Sequence, residues 1–182
     1  FITLKDHKEN FINNPSTRLI NPAKNELGWI SKIILGQLHQ LNQWKNTDSV
    51  IEWFNSIDEK NQYTFLIFDI KDFYPSITEP LLKKAMWFAE EYVAIKEKDK
   101  AIIHHSRKSM LFSKENTWIK KQGGLFDVTM GAYDGAEICE LVGNFMLFKL
   151  SLLYQKKCIG LYRDDGLAVF KNVSGPESEK IK

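Results

Sequence analysis

The stretch YRDDGLAVF, residues 162–170, decides how this chain is read. Two adjacent aspartates, Asp164 and Asp165, lie between the apolar, strand-like runs CIGLY and LAVF. Asp-Gly between two such runs is a hairpin signal, so a tight turn is expected at 165–166 with both carboxylates at or beside it. Like charges this close repel, and burial raises at least one carboxyl pKa. A divalent cation removes that cost, and oxygen-only ligands suit Mg²⁺. A solvated Asp-Asp-Gly turn is the plain alternative. A second acidic, strand-like segment upstream, TFLIFDIKDFYPSI at 64–77, favours the cation site.

Composition sets the outer bounds. The 182 residues, 43% hydrophobic and 26% charged, suffice for one domain with a real core or two closely joined subdomains. A net charge of only +2 announces no nucleic-acid partner in bulk. The local basic run of Arg107, Lys108, Lys114, Lys120 and Lys121 is expected to be a solvated face. Cys139 and Cys158 give neither a disulfide framework nor zinc spacing, and Cys139, in an apolar helical pattern, is expected in the core. No apolar run reaches the length of a membrane span and no signal peptide opens the chain, so an intracellular protein is expected, nuclear or cytoplasmic alike. The chain begins at Phe1 without an initiator Met and stops in the polar run SGPESEKIK, which reads as a piece of something longer.

Taken in order, Phe1–Leu4 and Arg18-Leu19-Ile20 predict a hairpin carrying Lys5, His7, Lys8 and Arg18, cations suited either to a triphosphate or merely to solvent. Apolar residues at helical spacing predict helices over 28–44 and over 50–57, the latter capped by Thr47 or Asp48. Trp44, Trp53 and Phe54 are expected in the core. The run 63–70 predicts one buried strand ending in Asp69, a carboxylate costly to bury unless paired or metal-bound. A turn over 72–75 follows, then a helix from Thr78 to about Ile95. His104 and His105, being adjacent, diverge on a helix and are expected at a surface or interface. A second hairpin is expected at 110–119, and a long helix from Asp134, with Glu137 placed for a capping box. Gly131 and Gly135 flank its entry, where bare backbone lets a ligand approach.

In this order the segments resemble a reverse transcriptase. FDIKDFYPSI resembles the family's motif A, MGAYDGA its motif B, and YRDD its motif C, the Tyr-x-Asp-Asp box. KDHK followed by Arg18-Leu19-Ile20 is similar to the fingers motifs of Penelope-like and related retroelements. The resemblance implies an α+β fold: a right-hand polymerase palm with a small antiparallel sheet backed by helices, made of 63–79 and 128–182. It also implies fingers made of 1–62 and 80–127, and a thumb beyond the C-terminus. The implied activity is that of an RNA-directed DNA polymerase of a retroelement, adding dNTPs to the 3′-hydroxyl of a primer on an RNA or DNA template. Further implied partners are the rest of the parent protein, its thumb and any attached endonuclease domain.

Carried over residue by residue, the resemblance makes Asp69, Asp164 and Asp165 catalytic. These residues, with Ile70, would hold two Mg²⁺ ions, Mn²⁺ being able to substitute, roughly 3.5–4 Å apart. Lys5 and Arg18 would contact the triphosphate, with Lys8 a further candidate. Asp72, Phe73 and Tyr74 would line the nucleotide, and Gly131 would leave it room. Tyr74 stands five residues after Asp69, where the family resembles itself in having an aromatic gate against a ribose 2′-hydroxyl; a packed core tyrosine is the alternative. Ala132 and Tyr133 depart from the Ser-Pro usual in motif B, Asp134 and Glu137 put acid where a polyanion should pass, and Arg163 is a cation in the box's variable slot. Two rivals remain: a catalytically inactive nucleic-acid-binding remnant, and another palm enzyme such as an RNA polymerase or nucleotide cyclase.

Overall fold

The computed structural model describes residues 2–4, 12–13, 17–19, 31–32, 44–113, 115–119, 124–154 and 158–180. Ile2–Leu4 (β1) and Thr17–Leu19 (β2) pair antiparallel with Arg18 opposite Thr3, the expected first hairpin. Lys5, His7 and Lys8 of its connection lie outside the described residues, as does the 28–44 segment except Ser31, Lys32 and Trp44. Helix α1 (Thr47–Asn55) is capped one residue earlier than expected: the Asn46 side chain accepts from the Ser49 N–H at 3.0 Å, and Ser49 Oγ accepts from the Asn46 N–H at 3.2 Å. That reciprocal pair satisfies two otherwise orphaned donors.

Strand β3 (Tyr63–Asp69) runs into a single-turn helix, α2 (Phe73–Ser76), and then α3 (Glu79–Glu90), where Thr78 Oγ1 accepts from the Leu81 N–H at 3.3 Å. Helix α3 stops at Glu90, short of Ile95, because Val93 and Ile95 leave the helix to pack on the core. The run KEKDK does not prolong it. It opens α4 (Glu97–His105), whose first turn carries Glu97 and Asp99, the sign its dipole favours. Lys100 joins the two helices, pairing with Glu90 and, at 2.7 Å, with Glu97. The second hairpin forms as β4 (Leu111–Ser113) and β5 (Asn116–Trp118). Helix α5 (Gly135–Leu153) leads to β6 (Ile159–Tyr162) and β7 (Asp165–Lys171), and α6 (Gly175–Glu179) occupies part of the expected polar tail.

The central sheet is antiparallel in the order β3-β7-β6. Its continuous apolar run at 63–70 predicted one buried strand, and the structure buries only one face of it. Leu66 is buried while Ile67 is 76% exposed, so burial alternates along β3. An antiparallel sheet built from a hairpin can leave one face open. The covered face gathers Leu66, Ala168 and Phe170 with Phe68, Ile159 and Tyr154. A larger core lies around α3 and α5 and includes Leu82, Met86, Ile138 and Val142. Of the residues expected inside, Leu66, Leu141, Leu161 and Val169 are buried, and Phe68, Ile70, Phe145 and Leu167 are half-buried. Trp44 lies over Gly160 and meets Trp53 edge-on at 5.0 Å, both rings half-buried, whereas Phe54, expected in the core, is exposed at 38% and packs on Phe65 at the open face of the sheet. Among the described residues, no helix is long and apolar enough to cross a membrane.

One ion pair ties the chain's middle to α5. Arg107, expected on a solvated face, is 2% exposed, and its guanidinium pairs with Asp134, which is 0% exposed. Ser106 Oγ donates to the same carboxylate at 3.3 Å. Asp134 therefore stands at the N-cap position without capping, and Glu137 pairs with Lys32 at 3.3 Å instead of closing a capping box. Removing one member of a buried pair strands the other's charge, so Asp134→Ala is expected to cost about 3–5 kcal/mol, measured by denaturant unfolding.

Gly166 corrects the predicted turn. The two-residue loop between β6 and β7 is Arg163-Asp164, and Asp165 and Gly166 already lie in β7, opposite Tyr162 and Leu161. Glycine is needed there for space: a Cβ would fall 2.1 Å from the ring of Phe68, its partner across β3. Gly166→Ala is expected to lower stability by about 1–3 kcal/mol, the usual cost of overpacking, with the loss removed when Phe68 is trimmed in the double variant.

Candidate nucleotidyl-transfer site

Two of the carboxylates singled out in the sequence, Asp69 and Asp165, face each other at one end of the sheet, and Asp164 stands in the adjoining turn. Asp69 ends β3 and Asp165 opens β7, and the two are register partners. The N–H of Ile70 donates to the carbonyl of Asp164 at 2.8 Å, which makes Asp69–Asp165 a non-hydrogen-bonded pair. In such a pair the Cα atoms stand about 4.5 Å apart and the side chains share a face. Burial, the charge of Asp164 and the charge of Asp69, in that order, hold the Asp165 carboxyl above its ordinary pKa. The strand end and the turn thus lie together, not apart. Among the described residues, no three His, Cys, Asp or Glu side chains are gathered so as to hold a metal ion by themselves. The donor set is a facing pair of carboxylates with a third in the adjoining turn, all oxygen, which is chemistry suited to Mg²⁺. Ile70 offers only its main chain to such an ion, since its side chain packs on the core.

The turn itself is strained. Arg163 has φ 57°, a left-handed conformation that costs a residue with a Cβ roughly 1–2 kcal/mol. Its guanidinium lies 5.5 Å from the Tyr162 ring centroid, a cation–π contact. Asp72 also takes a positive φ, 50°, as the chain leaves β3 for α2. That bend buries Phe73 in the α3–α5 core, so the Phe73 side chain does not line an open pocket and only its backbone is left to meet a ligand. Asp72 is exposed.

Tyr74 is half-buried beside α5. Its hydroxyl is hydrogen-bonded to the thiol of Cys139, and burial first, then that neighbour, push its pKa up to about 12. Burial also pushes the Cys139 thiol up to about 12, while the bond from Tyr74 acts the other way. The charges of Arg163 and Asp164 reach both groups, so the turn, Tyr74 and α5 form one neighbourhood. Gly131, exposed at φ 95°, sits on the loop before α5. Arg18 is placed in β2 opposite Thr3, and Lys5 lies outside the described residues.

Cys139 is the participant that the sequence reading left in the core without a task. It is indeed fully buried, but it also bonds Tyr74. The available signal was its spacing, four residues after Gly135, which puts both on one helix face. Repulsion at Asp165 yields a test. A carboxyl whose pKa is raised in the fold opposes folding when ionised, and that opposition fades as pH falls through the folded value. Metal-free Asp165→Asn is therefore expected to melt higher than the parent at pH 7, with the gap narrowing as pH is lowered.

No protein-family model and no curated protein matches the chain. Solved structures do. The chain is similar to apo telomerase from Candida tropicalis truncated from its C-terminal domain, with TM-score 0.54 and 16% identity over 85% of this chain and 35% of that one. It is also similar to telomerase from Candida albicans in complex with a TWJ fragment of telomeric RNA, with TM-score 0.51 and 13% identity over 85% of this chain and 30% of that one. The chain spans about a third of the length of each. The likeness is to the reverse-transcriptase fold and does not extend to a Penelope-like subclass: this chain has a mixed α/β, reverse-transcriptase-like fold with a small antiparallel sheet.

Proposed function

We propose that this chain is the palm and fingers part of an RNA-directed DNA polymerase. Residues 63–79 and 128–182 would form the palm and 1–62 and 80–127 the fingers. The observation that carries the reading is the Asp69–Asp165 register pair, closed by the Ile70 N–H to the Asp164 carbonyl. Two distant acidic segments meet there, and folding alone gains nothing from opposing like charges across a strand pair.

In the proposed reaction the primer 3′-hydroxyl oxygen bonds to the α-phosphorus of a dNTP. The bond from that phosphorus to its bridging oxygen breaks, pyrophosphate leaves, and the hydroxyl proton passes to water. Asp69, Asp164, Asp165 and the Ile70 main chain would hold Mg²⁺, which when bound supplies charge for hydroxyl ionisation and for the leaving group. Tyr74 would stand against the sugar, so a ribose 2′-hydroxyl meets its ring. Lys5 and Arg18 would contact the triphosphate, and Gly131 would leave space for it. A nucleic-acid partner is supported by the telomerase likeness, one of those structures holding a TWJ fragment of telomeric RNA, and a template–primer duplex is the form of it that the reaction requires. A retroelement as the source rests on the resemblance of the sequence motifs.

Primer extension by the intact protein, on an RNA template with Mg²⁺ and dNTPs, tests this. Asp69→Asn and Asp164→Asn are each expected to abolish extension while duplex binding persists. Extension by either variant at the parent's rate would sink the reading, and binding without extension by the parent would mean an inactive remnant. Tyr74→Ala is expected to admit ribonucleotides, read as a fall of roughly tenfold or more in the dNTP-over-NTP ratio of kcat/KM. Unchanged sugar preference would return Tyr74 to a core role.

A further inference from the structure

Tyr74 sits on a helix too short to fix it. Helix α2 has a single turn, held by Ser76 N–H to Asp72 O at 3.0 Å and closed by Ile77 N–H to Tyr74 O at 3.2 Å. Buried Phe73 and Ile77 anchor the backbone on either side. Neither sets the torsion of the Tyr74 side chain, so what holds the ring must come from across the packing interface, and the element there is α5.

We infer that Gly135 and Cys139 are positioning residues for Tyr74, fixing its ring from two points on one face of α5 and so setting the sugar selectivity of the site. This rests on the reading of Tyr74 as the group that meets the sugar. The first point is steric. A Cβ on Gly135 would lie 3.4 Å from Cε1 of Tyr74 and 3.0 Å from the carbonyl oxygen of Thr129. The Thr129 oxygen is backbone and accepts from the Ala132 N–H at 3.2 Å, so it gives way less readily than the ring. Bare backbone at 135 thus lets the ring lie against the helix. The sequence suggested that a glycine here leaves room for a ligand; the room is taken by the tyrosine.

The second point is polar. Cys139 is one helical turn further on, and its thiol is the partner of the Tyr74 hydroxyl. Burial holds both the phenol and the thiol protonated, so each brings a proton and a lone pair to this contact. Sulfur is a weak acceptor, but a half-buried hydroxyl that loses its partner pays a desolvation cost, so the bond selects one ring position. Contact at the ring edge and at the hydroxyl tip together leave the ring little freedom to swing. Cysteine also fits by size, since it lies fully buried among apolar neighbours where a longer side chain would displace the phenol.

The test uses the intact protein and its Cys139→Ala, Cys139→Ser, Gly135→Ala and Tyr74→Ala variants. Two readouts are taken: the dATP-over-ATP ratio of kcat/KM in Mg²⁺, and the dissociation constants of dATP and ATP in Ca²⁺, as a probe of binding without chemistry. Cys139→Ala is expected to lower the dATP preference about fivefold, what one neutral hydrogen bond is worth, mostly through KM for ATP. Cys139→Ser, which keeps an acceptor, is expected to restore what alanine loses. Gly135→Ala is expected to shift KM for dATP by about threefold or more through displacement of the ring, with kcat changed less. Loss of sugar preference in Tyr74→Ala with none in Cys139→Ala or Gly135→Ala overturns this inference alone. No change in Tyr74→Ala overturns the underlying reading too. Equal losses in Cys139→Ala and Cys139→Ser count against the hydrogen bond.

Discussion

The pairing of β3 with β7 is the constraint on which the site depends. Register in an antiparallel sheet is set by the side that must be buried, because a one-residue slip moves every side chain to the other face. Here Leu66 faces Ala168 and Phe68 faces Gly166 on the covered side. Once those pairs are set, Asp69 has no choice but to face Asp165. Apolar packing on one face thus forces two like charges together on the other. Gly166 is the hinge of this logic: its missing side chain admits the Phe68 ring, and the ring's position keeps the aspartates in line.

Helix α5 links the sheet end to the rest of the molecule. Its N-terminal position holds Asp134, buried against Arg107, and its first turns carry Gly135 and Cys139. The loop bearing Gly131 is therefore fixed at its helical end by an ion pair, while Tyr74, on α2, packs against the same helix. An ion pair so deeply buried is a poor source of stability compared with apolar packing. It does define one arrangement of α4, the 128–134 loop and α5, since few others would satisfy both charges. The sheet end and the helix entry converge through Arg163 and Asp164, whose charges reach Tyr74 and Cys139.

Much of this was legible in the residues. The hairpin at 159–171, the strand ending at Asp69, the helix capped by Thr78 and the long helix after Asp134 all follow from periodicity and punctuation, signals that act within a few residues. Boundaries failed where two local signals competed. Asp-Gly reads as a turn, yet the turn is one step earlier at Arg163-Asp164, because Gly166 is required against Phe68. Asp134 reads as a cap, yet a buried guanidinium outbids backbone N–H groups for its carboxylate. KEKDK could either continue the preceding helix or lead into AIIHHS, and it does the latter, opening a new helix because Val93 and Ile95 turn back to the core.

The sequence by itself determined which residues are chemically able to act: three carboxylates, a tyrosine five residues beyond the first, and glycines at a helix entry. These are statements about residue type and spacing along the chain, and they need no knowledge of what touches what. Only the tertiary structure decided that Asp69 faces Asp165, that Arg107 is buried on Asp134, and that Tyr74 rests on Gly135 and bonds Cys139. The physical reason is range. Periodicity and capping are written into neighbouring residues, whereas each of these contacts joins residues 27 or more positions apart, where packing of the whole core selects the partner.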